Sequence, residues 1–213
     1  MNMAKKGFLI SFEGGEGGGK TYQSTYLTER LKEAGYDVLR LREPGGTNIS
    51  EQIRDVVLSN KNKEMIDRTE ALLLQASRAQ IYGEKVLPAL EDGKVIIMDR
   101  TRDSSIVYQG IVRGLGISLI ERLNKISTQN TFPDLTFLLD ISPETGMERL
   151  IKERKKDRFE NEALEFHRQV QQAYLKLADK NDRSRWFVID GEKSIEEVQQ
   201  EIWSVVELKL RNC

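Results

Sequence analysis

The chain has 213 residues, enough for one domain with a small insertion, and its 33 Lys and Arg against 34 Asp and Glu leave a net charge of −1. That balance lacks the basic excess on which nucleic-acid and anionic-membrane partners draw, so neither is expected as a partner. One cysteine, Cys213, and one histidine, His167, exclude a disulfide framework, a Cys-rich metal site and a His cluster. The longest apolar runs, such as Val95 to Met98, are too short to span a bilayer. The opening MNMAKKGFLISFEGGE has lysines and a brief apolar run but no small-residue cleavage site, so a soluble cytoplasmic protein is expected.

In chain order, GFLISFE is rich in β-formers and reads as a buried strand. KTYQSTYLTERLKEAG has helical apolar spacing at Tyr22, Tyr26, Leu27 and Leu31, with Gly35 where a C-terminal cap falls. DVLRLRE alternates like a strand, REPGGT is a loop, and ISEQIRDVVLS is helical. Arg68 to Glu91 reads as one long helix, with Pro88 disturbing its last turn. KVIIMD is the continuous apolar run of a central parallel strand. SLIERLNKIS is a helix with Ser118 and Glu121 spaced for a capping box. LTFLLDI is a further strand, followed by a helix with Ser142 as N-cap and Pro143 in its first turn. After the charged segment KERKKDRFENE comes a helix through Phe166, Val170, Tyr174 and Leu177, on which His167 is expected to be solvated. WFVID is the last strand, and the last helix opens on a Ser194–Glu197 capping box and carries Trp203 as a core or dimer contact. Cys213 is expected to fray. Strands and helices alternate without repeat, linker or break, which predicts a single α/β domain over residues 1–213 with a parallel sheet. The helices between Thr47 and Glu91 separate the second and third strands and are placed to wall a cleft.

GGEGGGKT, Gly14 to Thr21, fits G-x-x-x-x-G-K-[ST] between a strand and a helix. Gly14, Gly15, Gly17, Gly18 and Gly19 let the backbone curl so that its N–H groups point at phosphate oxygens. The next helix aims its positive end at the same anion. Lys20 is placed to reach the β- and γ-phosphates, and the Thr21 hydroxyl to bind Mg²⁺. Asp99 ends VIIMD and is the expected metal-side acid; Asp140, ending LTFLLD, competes. Asp99 is preferred because Arg100 follows it and suits a second phosphate. MDRTRDSSIVYQG then places Arg100, Ser104, Ser105, Tyr108 and Gln109 at a strand's C-terminal end, where open parallel sheets bind ligands.

FEGGEGGGKT, REPGGT, EALLLQASRAQ, MDRTRDSSIVYQG, DLTFLLDISPETGMERL and DRFE, in that order, resemble the thymidylate kinase family over most of the chain. The resemblance implies a three-layer P-loop NTPase fold with a five-stranded parallel sheet flanked by helices. It implies ATP as phosphoryl donor, dTMP as acceptor, Mg²⁺ and a homodimer. By position, Glu16 matches the loop acid that contacts the nucleotide 3′-hydroxyl, and Arg100 the arginine on the acceptor phosphate, with Arg54 beside it. Arg78 matches the residue that hydrogen-bonds the pyrimidine, Gln109 is a second reader of the base, and Tyr108 packs under the sugar. Ser104 and Ser105 line that pocket. The chain departs from the family at Thr101, usually aromatic, at Leu74, usually a phenylalanine that stacks on thymine, and at Gly17, where some members carry an arginine. Relatives without that arginine supply the charge from a lid. Residues 149–160 are the candidate lid, with Arg149, Arg154 and Arg158 as candidates and Arg154 the one assigned to catalysis. Adenine is expected near Gly191. Two rival functions stay open: a kinase for another deoxynucleotide or nucleoside, and a P-loop regulator that hydrolyses slowly.

Overall fold

A computed structural model describes residues 7–151, 157–180 and 184–211. Five strands, β1 (Phe8–Glu13), β2 (Val38–Arg42), β3 (Val95–Asp99), β4 (Leu135–Asp140) and β5 (Trp186–Asp190), form one sheet in the order β2-β3-β1-β4-β5. Every pair is parallel; Ile10 sits against Ile97 on one side and Leu135 on the other. Parallel strands need crossovers, and the helices that supply them cover both faces. Hence β1 and β3 are buried along their whole length. One face packs Phe12, Ile97 and Phe137 against α1 (Lys20–Glu33) and α9 (Ile195–Arg211). The other packs Leu9, Ile96 and Met98 against Ile81 and Tyr82. α8 (Leu164–Lys180) seals the far end through Val170 and Tyr174.

Between β2 and β3 lie α2 (Asn48–Leu58), α3 (Asp67–Ile81) and α4 (Leu87–Glu91). The helix expected over 68–91 is continuous in direction but passes through a π turn, Tyr82–Val86, so the disturbance lies before Pro88 and not in the last turn. Proline has no N–H for the carbonyl four residues back. The chain widens instead, and Leu87 N–H reaches the Tyr82 carbonyl. After β3 come α5 (Arg102–Ser105), a π segment (Ile106–Val112) and α6 (Ile117–Ser127); α7 (Pro143–Ile151) follows β4.

Two caps form as the sequence predicts. Thr145 N–H bonds Ser142 Oγ at 3.2 Å, and Ser194 and Glu197 bond each other's backbone N–H at 3.3 and 3.0 Å. The Ser118–Glu121 box does not form, because α6 starts earlier, at Gly116 with φ +90°. Tyr22 and Tyr26 are not core: they are 54% and 39% exposed, and only Leu27 and Leu31 of that stripe are buried. His167 is buried, at 5% exposure, and does not face solvent. It shares the inward face of α8 with Val170 and Tyr174, three and seven residues on. Trp203 packs on the sheet core beneath the Arg30 guanidinium, 4.1 Å from its ring centroid.

Candidate active site

All five strands point their C-terminal ends at one cleft of about 1290 Å³, larger than the about 300–1,000 Å³ of a typical single-ligand pocket. Residues 14–19 form its floor between β1 and α1. Gly14, Gly17 and Gly19 have φ of +137°, +69° and +80°, which side chains disfavour. At Gly17 a Cβ would also run into the Gly146 backbone, and one at Gly146 into the Glu16 carbonyl. The loop and α7 therefore touch backbone to backbone, and the missing arginine at position 17 has no room there. Lys20 is buried at the head of α1, and its Nζ donates to the Gly15 carbonyl at 2.6 Å. Burial and the nearby Arg100 charge lower its pKa to about 8. An incoming phosphate would add negative charge beside an ammonium that burial disfavours.

Arg100 bends over this loop. Its Nη1 donates to the Gly14 carbonyl at 2.8 Å and its Nη2 to Glu16 Oε1 at 2.6 Å. Its φ is +65°, a strained value for a residue with a side chain. Neighbours hold it there: Arg100 N–H bonds the Phe12 carbonyl at 2.9 Å, and Thr101 N–H bonds Glu13 Oε1 at 2.9 Å. Glu13 Oε2 also accepts from the Ser104 and Tyr174 hydroxyls, at 2.5 and 2.8 Å. Burial, with the Asp103 charge adding to it, pushes the Glu13 carboxyl up to about 7. Burial would raise Glu16 too, but Arg100 and Lys20 outweigh it and hold that carboxyl at about 2. Two acids three residues apart are thus driven in opposite directions, one beneath the cleft and one on it.

Thr21 Oγ1 donates to Asp99 Oδ2 at 2.5 Å, joining the loop to the end of β3. Asp140 instead accepts from Gln171 on α8, at 2.9 Å. The described residues contain no cluster of three or more His, Cys, Asp or Glu placed for a metal. A hydroxyl and one carboxylate on the phosphate side nevertheless fit Mg²⁺, which is held by few protein ligands, its waters and substrate phosphates.

The opposite wall comes from α2, α3 and the segment after β3. Arg78, 2% exposed, donates to Glu43 (2.7 Å), Ser105 Oγ (3.0 Å), Asn124 Oδ1 (2.7 Å) and the Thr101 carbonyl (3.0 Å). Gln109 Nε2 donates to Glu70 at 2.8 Å, and both Gln109 and Arg78 line the cleft with Leu74. The Tyr108 hydroxyl donates to Glu16 at 3.0 Å, and its ring packs edge-on to Phe159. Arg54 Nη1 donates to the Pro44 carbonyl at 2.8 Å beside the same space. Ser104 lines the cleft, yet its hydroxyl is spent on Glu13 and Tyr174.

The three lid arginines separate. Arg149 on α7 reaches the cleft, donating to the Gly17 carbonyl at 3.4 Å and the Gly191 carbonyl at 3.2 Å. Arg158 turns away onto Glu70 (2.6 Å) and the Val57 carbonyl (2.9 Å). Arg154 and Cys213 lie outside the described residues. Gly191, Lys193 and Ile195 line the end of the cleft expected to take adenine.

Sequence reasoning missed Glu13, Glu43, Glu70 and Gly146. Glu70 had a signal, since it shares one helix face with Leu74 and Arg78 at steps of four. Glu13 had a weaker one, an acid ending a strand that is otherwise largely apolar. Glu43 pairs with Arg78 across 35 positions, and no local pattern carries that.

A glycine-rich turn feeding a helix, a strand-end acid bonded to its threonine and a parallel sheet of this order define a P-loop nucleotide-binding protein with an arginine poised for a second anion. The family model described as thymidylate kinase matches residues 12–202. Thymidylate kinases from Thermoanaerobacter sp. (strain X514) and Caldanaerobacter subterraneus subsp. tengcongensis are 47% and 45% identical, covering 94% and 98% of this chain and 98% and 99% of theirs. The crystal structure of thymidylate kinase from Ehrlichia chaffeensis superposes with a TM-score of 0.78 at 30% identity, over 94% of this chain and 99% of that one. The chain belongs to the thymidylate kinase family.

Proposed function

We propose that this cleft transfers the γ-phosphoryl group of ATP to dTMP, giving dTDP and ADP. The observation that carries the reading is Arg100, which bonds both the Gly14 carbonyl and Glu16 and so sets a second anion site against the phosphate loop. The loop N–H groups, the head of α1 and Lys20 hold the donor's β- and γ-phosphates. Arg149 reaches the same end from α7, and it and Arg154 are the lid arginines proposed to supply charge to the donor. Arg100, with Arg54, takes the acceptor phosphate; Glu16 and Tyr108 meet the sugar; Arg78 and Gln109 meet the base; Ser105 supports Arg78.

A dTMP phosphate oxygen attacks the γ-phosphorus in line as the bond to the β–γ bridging oxygen breaks, and the electron pair leaves on ADP. The attacking oxygen is already anionic near neutral pH, so no side chain has to remove a proton. The chain's task is placement and charge neutralisation. Thr21 and Asp99 would hold Mg²⁺, which when bound offsets phosphate charge. The reading includes one catalytic domain over residues 1–213 with its lid at 149–160, action in the cytoplasm and a homodimer.

The test is a coupled assay for ADP with ATP and, in turn, dTMP, dUMP, dCMP, dGMP and dAMP. ADP formation that depends on dTMP and exceeds that with the other acceptors is expected. ADP release without any acceptor would point to a slow regulatory hydrolase. Preference for another monophosphate would follow from Leu74, an aliphatic side chain on the base wall.

A further inference from the structure

The base wall of the cleft stands on a buried carboxylate that the proposed chemistry does not use. Glu70 is wholly buried on α3, one and two turns before Leu74 and Arg78. Both its oxygens are engaged: Oε1 accepts from Gln109 Nε2 at 2.8 Å, and Oε2 accepts from Arg158 Nη2 at 2.6 Å. Arg113 Nη2 lies 3.6 Å from Oε2, so two cations balance the buried charge.

A carboxylate accepts hydrogen bonds and has none to give. Gln109 must therefore turn its amide nitrogen to Glu70, and its oxygen is the group left for a ligand. Turning the amide over would set oxygen against oxygen in a buried place, where an unpaired polar group is costly. Arg78 has only donors, and four of its five N–H groups are taken by Glu43, Ser105, Asn124 and the Thr101 carbonyl. One N–H on Nη2 remains. The wall thus offers one donor and one acceptor of fixed identity. Thymine and uracil present a carbonyl oxygen beside a ring N–H, the complement of that pair. Cytosine presents an amine beside a bare ring nitrogen, which opposes it at both atoms.

We propose that Glu70 is a positioning residue for base selection: by locking the Gln109 amide with its oxygen toward the cleft, it makes the site favour thymine or uracil over cytosine. This rests on the site being that of a dTMP kinase and adds what fixes its choice of base. The same carboxylate is gripped by Arg158, one of the candidate lid residues, so that residue and the base reader share one anchor.

Glu70→Gln tests this, because Arg158 holds the new amide's oxygen and leaves its nitrogen facing Gln109, whose own amide must then reverse. The readout is the ratio of kcat/KM for dTMP to that for dCMP, on protein shown to be folded by circular dichroism. The ratio is expected to fall by at least about tenfold, since misplaced polar partners in such sites carry large discrimination. An unchanged ratio, whatever the loss in absolute rate, would overturn the inference, because a merely structural role slows both substrates alike. In a Gln109→Leu background the same substitution should move the ratio by less than about twofold; a full-sized effect there would show that Glu70 does not act through Gln109. If Glu70→Gln does not fold, a neutron map of the deuterated wild-type protein decides: deuterons on the Gln109 atom facing Glu70 support the inference, and a carboxylic deuteron on Glu70 facing the Gln109 oxygen overturns it. A wild-type protein with no preference for dTMP overturns the dTMP-kinase reading itself. A wild type that prefers dTMP, paired with a variant that prefers it equally, sinks only the role of Glu70.

Discussion

Lys20 and the Glu13–Glu16 pair show how far single residues are set by their surroundings. Lys20 is buried near Arg100, and its Nζ donates to the Gly15 carbonyl. Replacing it by methionine keeps the volume and removes the charge. Lys20→Met should cut kcat by about 10²–10³-fold, as losing one donor to developing charge does, with a smaller change in the KM for dTMP; steady-state kinetics checks it. For Glu13 the folded value of about 7 exceeds the ordinary 4.5, so between those pH values the native state holds the extra proton. Stability from this group is therefore present below pH 4.5 and lost as pH rises to 7. Glu13→Gln should remove that decline, gaining about 3 kcal/mol on wild type between pH 4.5 and 7.5, read by urea unfolding. Glu16 works the other way: its contribution is full above pH 4.5 and is lost as pH falls toward 2. The phosphate-loop spacing marks Lys20 and Thr21 and the strand-end position marks Arg100, whereas Glu16 is marked only by the family resemblance. That the Glu13 carboxyl would be pushed up was not legible, since the shift depends on burial and on Asp103, 90 positions away.

At the level of elements, the strands and most helices follow their local signals, and the exceptions have local causes. Pro88 displaces its effect upstream into the π turn at Tyr82–Val86, and that turn holds Tyr82 with its hydroxyl 2.9 Å from Thr101 Oγ1. The small polar Thr101, where a larger residue is usual in the family, fits inside this contact. α7 bears on the proposed function through one close contact. Its Gly146 lies on Gly17, and that close approach carries Arg149 to the mouth of the loop. Arg149→Met should lower kcat at saturating substrates by about 10²–10³-fold while Tm changes little, because its side chain is exposed. Kinetics together with a melting curve separates the two effects. No sequence pattern distinguished Arg149 from Arg158, since both sit in one charged run and only their partners differ.

Across the whole molecule, the sheet order puts β1 between β3 and β4, so the loop after β1 meets the ends of both neighbours. The cleft is lined on one side by residues 16–21, Arg149 and Gly191, and on the other by α2, α3 and the segment after β3. A native state that binds two ligands is stabilised by each. At a hundredfold excess over Kd, ATP or dTMP should each add about 2.7 kcal/mol, raising Tm by about 5–10 °C in a chain of this size. Thermal unfolding with each ligand alone measures this, and a dTMP shift no larger than that from dCMP would count against the base wall described here.

The sequence by itself determined the alternation of strands and helices, the phosphate loop and the acid that joins it, because these depend on periodicity and spacing within a few residues. Tertiary structure decided that Arg149 and not Arg158 reaches the loop, which carboxylates are buried and which way the Gln109 amide faces. Those outcomes depend on partners such as Glu43 with Arg78 and Glu70 with Arg158, 35 and 88 positions apart, and chain folding alone brings them within hydrogen-bond distance.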